Sequence, residues 1–113
     1  MTSSIARLAA WFEKQCKDDW EHQFGVRIET LDNPGWSLVV DIKATDLELR
    51  PFESKSIERS DDDWVQARID GLAFRAWGGP KNLEEMIDTF TRWANGEAVG
   101  EGGAPGEIAG IPS

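Results

Sequence analysis

Two stretches of the chain repeat apolar residues with the period of a helix. Ile5, Leu8, Ala9, Phe12 and Cys16 fall on one face of a 3.6-residue repeat, and Ser3 or Ser4 stands where an N-cap belongs. Leu83, Met86, Ile87, Phe90 and Ala94 repeat the same spacing near the other end. There Asn82 followed by Glu85 has the form of a capping box, and Gly96 suits a helix end. Trp11 lies off the centre of the first stripe, where it either covers a seam or is exposed.

Between these helices the period changes to two. Phe24, Val26, Ile28 and Thr30 alternate with Gly25, Arg27 and Glu29, and Trp36, Leu38, Val40 and Ile42 alternate with Ser37, Val39 and Asp41. Such alternation predicts two strands with one buried face each. Pro34 and Gly35 between them predict a type II turn, with Pro34 fixing φ at its second position and Gly35 supplying a positive φ at its third. Leu47 and Leu49 predict a short third strand ended by Pro51, and residues 56–59 a fourth. Residues 64–70 and 72–77 predict a second hairpin across Asp70 and Gly71, a favoured hairpin dipeptide. Gly78, Gly79 and Pro80 end the sheet.

Strands joined by short turns run antiparallel, since a parallel return needs a long crossover. Two amphipathic helices need an apolar surface to bury their stripes. The expected architecture is therefore α+β: an N-terminal helix, an antiparallel meander sheet of about five to six strands and a C-terminal helix, both helices on one sheet face. This single domain spans residues 1–96. Residues 97–113 are rich in Gly and Pro without a period, and read as a flexible tail.

Charge narrows the partners. The 113 residues carry 21 acidic and 12 basic side chains, a net charge of −9. A field of this sign repels phosphate backbones and anionic bilayers and attracts basic proteins, so neither nucleic acid nor membrane is an expected partner. No run of about 18 apolar residues is present, and the first residues lack the features of a secretory signal. One cysteine forbids an internal disulfide, and a cytoplasmic location is expected.

Reactive chemistry is poorly supported. One Cys and one His, with no ligand-loop spacing, give no metal site. Asp61, Asp62 and Asp63 read as a solvated acidic turn. Cys16, on the apolar stripe near the negative end of the first helix, reads as a buried and inert thiol. His22, beside Trp20 and Glu21, reads as a structural hydrogen-bonding residue. No nucleophile elbow, phosphate loop or dinucleotide fingerprint occurs. No catalytic, cofactor-binding or metal-binding residue is assigned, and no cofactor is expected.

Surface recognition is left. Trp36, Trp64 and Trp77 sit at strand ends or beside turns, and several acids lie near them in sequence. Acidic groups around aromatic anchors suit a basic protein partner. The residues assigned to partner binding are Asp32, Trp36, Glu58, Asp61, Asp62, Asp63 and Trp64. The alternatives are a small enzyme using His22 with Glu21, or Cys16, and a homo-oligomeric structural module.

The run Asp-Trp-Glu-His-Gln-Phe-Gly-Val-Arg-Ile-Glu-Thr-Leu-Asp-Asn-Pro-Gly-Trp, residues 19–36, resembles the signature of the immunity protein 53 family. Its characteristic positions here are Trp20, Glu21, His22, Gly25, Leu31, Asp32, Asn33, Pro34, Gly35 and Trp36. The resemblance continues through residues 57–60, Asp63 with Trp64, and residues 82–85. It covers roughly residues 8–95, with Phe24 in place of an expected Tyr. It implies a small bacterial protein of a polymorphic toxin system that binds and blocks a cognate toxin in the cytoplasm, without catalysis. A basic, nuclease-like toxin would suit the acidic surface, and a homodimer stays open.

Overall fold

The computed structural model describes residues 3–97. The tail expected beyond residue 97 lies outside the described residues. Helix α1 (Ser4–Gln15) and a single 3₁₀ turn (Trp20–His22) precede strands β1 (Val26–Leu31), β2 (Gly35–Asp41), β3 (Lys55–Ser60), β4 (Asp63–Asp70) and β5 (Ala73–Gly78). Helix α2 (Leu83–Ala94) closes the domain. The fold is α+β.

The five strands form one antiparallel sheet in the order β1-β2-β5-β4-β3. The expected antiparallel sheet is present, but it is not laid down in chain order. The connection 42–54 carries the chain from β2 to the far edge, and β5 then returns to pair with β2. This connection holds turns where Leu47 and Leu49 predicted a strand. Leu47 is fully buried and Leu49 is 93% exposed, so this pair anchors a loop by one side chain rather than alternating across a sheet.

Period two sorts the sheet into two faces. Leu38 and Val40 of β2, Val65 and Ala67 of β4, and Phe74 and Ala76 of β5 share one face and are all buried. Helix α2 covers that face with Met86, Ile87, Phe90 and Trp93, and packs on β2, β4 and β5. Helix α1 lies against α2, tied by an Arg7–Asp88 ion pair. An aromatic cluster fills the centre. Phe74, Phe90 and Trp93 have ring centroids 5.1 to 6.1 Å apart, and Phe52 joins from the long connection at 5.2–5.3 Å.

The buried stripe of α1 is turned about one residue from its predicted position. Ser4, Leu8 and Trp11 face inward, while Ile5 is 63% exposed. Trp11 decides this rotation. Its large ring packs edge-on against Phe90 at 5.0 Å and Trp20 at 6.0 Å, burying more apolar surface than Ile5 and Ala9 could. Cys16 is consequently exposed, not buried as expected. Ser3 caps the helix by accepting the Ala6 amide at 3.1 Å.

Two turn assignments also shift. Gly35 has no positive φ; it lies in β2, opposite Leu31, and residues 32–34 make the turn. Glycine is required there by proximity, because a Cβ would collide with the Gly78 carbonyl oxygen on β5. In the second hairpin Asp70 pairs with Ala73, so Gly71 (φ +65°) and Leu72 form the loop.

Candidate functional site

Strand direction brings three connections to one end of the sheet. β1 ends and β2 begins there, β3 ends and β4 begins there, and β5 leaves there for α2. Asp32 lies in the first turn, Asp61 and Asp62 in the second, all exposed. Two interstrand steps separate β2 from β4, or roughly 10 Å, so the two acidic turns flank the connection 79–82 on one rim.

The rim is built around Asn82. This buried side chain accepts the Trp64 backbone N–H at 3.2 Å and donates to Asp63 Oδ1 at 3.0 Å and Glu85 Oε1 at 3.1 Å. Its predicted capping bond to the helix amides is absent, because its oxygen is committed to β4. Arg59 completes the cluster. The pairing of β3 with β4 slips between Glu58 and Ser60, leaving Arg59 as the bulged residue. Its guanidinium thereby donates to Asp63 at 3.0 Å and to Glu85 at 2.5 Å. The Asn82 amide and the Arg59 guanidinium hold the Asp63 carboxyl below its ordinary value of 3.8. Glu85 and Asp63 together raise Arg59 further above its ordinary range.

The seven residues assigned to partner binding therefore separate by role. Asp32, Asp61 and Asp62 project from the rim. Asp63 shares the rim, but its carboxylate is engaged internally. Trp36 lies on the helix-covered face, half-buried, with its indole N–H donated to the Pro80 carbonyl at 3.0 Å. Trp64 lies on the opposite, open face, paired across strands with Glu58. The two tryptophans thus belong to different faces and form no common aromatic patch. Asn82 and Arg59 were not assigned from sequence. The bulge has no Gly or Pro to announce it, and Asn82 resembled an ordinary cap.

The signature run has structural explanations at several positions. Trp20 is buried and donates its indole N–H to the Lys43 carbonyl at 2.8 Å, beside Trp11 and Phe12. The Gly25 amide donates to Asp41 Oδ2 at 2.9 Å. Leu31 is half-buried, and Asn33 and Pro34 form the exposed turn with Asp32. Glu21 and His22 are exposed on the 3₁₀ turn, with His22 Nε2 3.7 Å from Asp19 and from Glu21. These three are the one group among the described residues whose donor atoms cluster as metal ligands would; all are solvated.

Cys16 offers no activated nucleophile. Partial desolvation and the nearby Glu21 and Glu13 carboxylates raise its thiol above 9.0, and its sulfur donates to the Phe12 carbonyl at 3.3 Å. It does not converge with His22 in an enclosed cleft.

The family model for immunity protein 53 matches residues 5–95. The chain belongs to this immunity protein family. The match takes in both helices, the whole sheet and all three connections of the acidic rim. No curated protein and no solved structure matches the chain. Among the described residues of this immunity protein, no helix is long and apolar enough to cross a membrane.

Proposed function

We propose that this immunity protein acts in the bacterial cytoplasm by binding a cognate toxin of a polymorphic toxin system and occluding it, with no catalysis of its own. The observation that carries the reading is the shared rim: Asp32 on one turn and Asp61 and Asp62 on another stand exposed at the same end of the sheet. Glu58 and Trp64 continue that rim onto the open face. Asp63 and Trp36 hold the turns in place from within.

A preformed acidic rim favours a basic partner. Charge complementarity speeds encounter and fixes register, and a rigid scaffold limits the ordering cost on binding. A nuclease-like toxin, basic where it grips phosphates, fits this chemistry. The carboxylates would occupy the positions of phosphate groups.

The test is capture of the toxin encoded beside the gene, followed by rescue of cells expressing that toxin. Capture and rescue are expected from the natural chain and equally from a Cys16→Ser/His22→Gln variant. Failure to bind the toxin would remove the reading. Loss of rescue in the variant, with binding retained, would restore the enzymatic alternative.

A further inference from the structure

The open face of the sheet carries a row of arginines among the acids Glu29, Asp41, Glu58 and Asp70. Arg27 of β1, Val39 of β2, Arg75 of β5 and Arg68 of β4 occupy one row across four strands. Arg68 and Arg75 stand directly opposite each other, an arrangement that costs stability in a sheet. Both approach the same carboxylate, Asp70, at 3.9 and 3.5 Å. One carboxylate thus serves two guanidiniums, and the Arg68 contact is beyond hydrogen-bond reach.

Beside Arg68 the face is hollowed. A recess of about 250 Å³ is lined by Ser54, Lys55, Ser56, Gln66, Arg68 and Trp77, with Ala67 completing it. Its lining holds no Asp or Glu, in a chain where acids outnumber bases 21 to 12. By the register of β3 with β4, Ser56 and Gln66 face the recess beside Arg68 and Trp77, whereas Lys55, paired with Ala67, projects to the helix-covered face. The Arg68 guanidinium carbon lies over the Trp77 ring, 5.0 Å from its centroid, a contact that restrains the planar fork.

We infer that this recess is a carboxylate-binding site and that its occupant is an acidic side chain presented by the toxin. This inference rests on the toxin-binding reading and deepens it: the immunity protein meets its partner with an acidic rim and a basic recess on the adjoining face. A guanidinium fork matches a carboxylate with two parallel hydrogen bonds, and the polar side chains of Ser56 and Gln66 stand beside it on the same face. A nucleic acid fits less well. Its extended chain of phosphates would meet the repulsion of the whole −9 molecule, whereas one carboxylate on a basic protein would not. Pairing a negative patch with a basic toxin surface and a positive recess with one acidic residue also fixes a single docking register.

The experiment measures affinity for the neighbouring toxin with the natural chain, Arg68→Glu and Gln66→Glu. Both positions are exposed, so both variants should still fold and unfold cooperatively in urea, Arg68→Glu without the cost of the Arg68–Arg75 opposition. The second places a carboxylate within reach of Arg68 and tests the recess even where the first fails to fold. Each is expected to weaken binding by about 30-fold or more. Reversing one acidic residue of the toxin to Arg should restore binding to Arg68→Glu. Unchanged affinity in folded variants overturns the inference while leaving toxin binding intact. A dimer of this chain that Arg68→Glu dissolves, or a DNA oligonucleotide that displaces toxin from the natural chain but not from the variant, overturns it as well. No binding by the natural chain removes both the inference and the function beneath it.

Discussion

Asn82 reaches from the start of α2 to β4, where its side-chain oxygen accepts the Trp64 amide at 3.2 Å. That bond joins the helix to the strand whose turn carries Asp61 and Asp62. Replacing Asn82 with Ala would leave the Trp64 N–H without this acceptor and free Asp63 and Glu85 from its amide. The expected loss of folding stability is about 2–3 kcal/mol, seen as a lower urea midpoint at unchanged slope. A loss below about 0.5 kcal/mol would show that the three bonds do not hold the rim together.

Acid should loosen the same cluster. The folded Asp63 carboxyl titrates below its ordinary value of 3.8, so the unfolded chain binds this proton more readily than the folded one. The stabilisation from Asp63 is complete above that ordinary value and is lost as pH falls through the lowered, folded value. The stability difference between the natural chain and Asp63→Asn should therefore be greatest near neutrality, shrink below about pH 4 and vanish in strong acid. A difference that is flat with pH would contradict the ion-paired state.

Two glycines of the signature run should behave differently. A Cβ at Gly35 meets the Gly78 carbonyl, whereas one at Gly25 meets nothing within 4 Å. Gly35→Ala should cost about 1–3 kcal/mol through forced backbone displacement. Gly25→Ala should change stability by no more than about 0.5 kcal/mol. Parallel denaturant titrations of the two variants separate these outcomes.

The exposed acids should act on association and not on folding. Asp61→Lys with Asp62→Lys is expected to leave the thermal midpoint nearly unchanged. Toxin association should slow by about tenfold or more at low salt, with the effect shrinking as ionic strength rises. Stopped-flow association across a salt series measures this. A rate insensitive to both charge and salt would place the contact elsewhere.

Much of the scaffold was legible from sequence because it obeys local rules. The periodicity of residues 83–94 and the alternation of residues 36–42 each follow from one buried face, and both elements appear as read. What escaped depends on contacts between distant segments. The face of α1 was settled by Trp11 finding Phe90 and Trp20, and Gly35 by a carbonyl on β5. The strand order was hidden because Leu47 mimics a strand residue while anchoring a loop. The acidic residues of the rim were legible as a group, since turns between alternating strands must reach solvent. That Trp36 and Trp64 occupy opposite faces required the register of β2, β5 and β4. The opposition of Arg68 and Arg75 likewise required the Asp70–Ala73 pairing, one residue away from the predicted turn.

A titration of toxin activity with the purified immunity protein addresses occlusion most directly. Inhibition by occupancy predicts that activity falls in proportion to added protein, reaches its floor at a fixed molar ratio and then does not change with time. Progressive inactivation of excess toxin by a small fraction of an equivalent would instead reveal turnover, and would contradict the account.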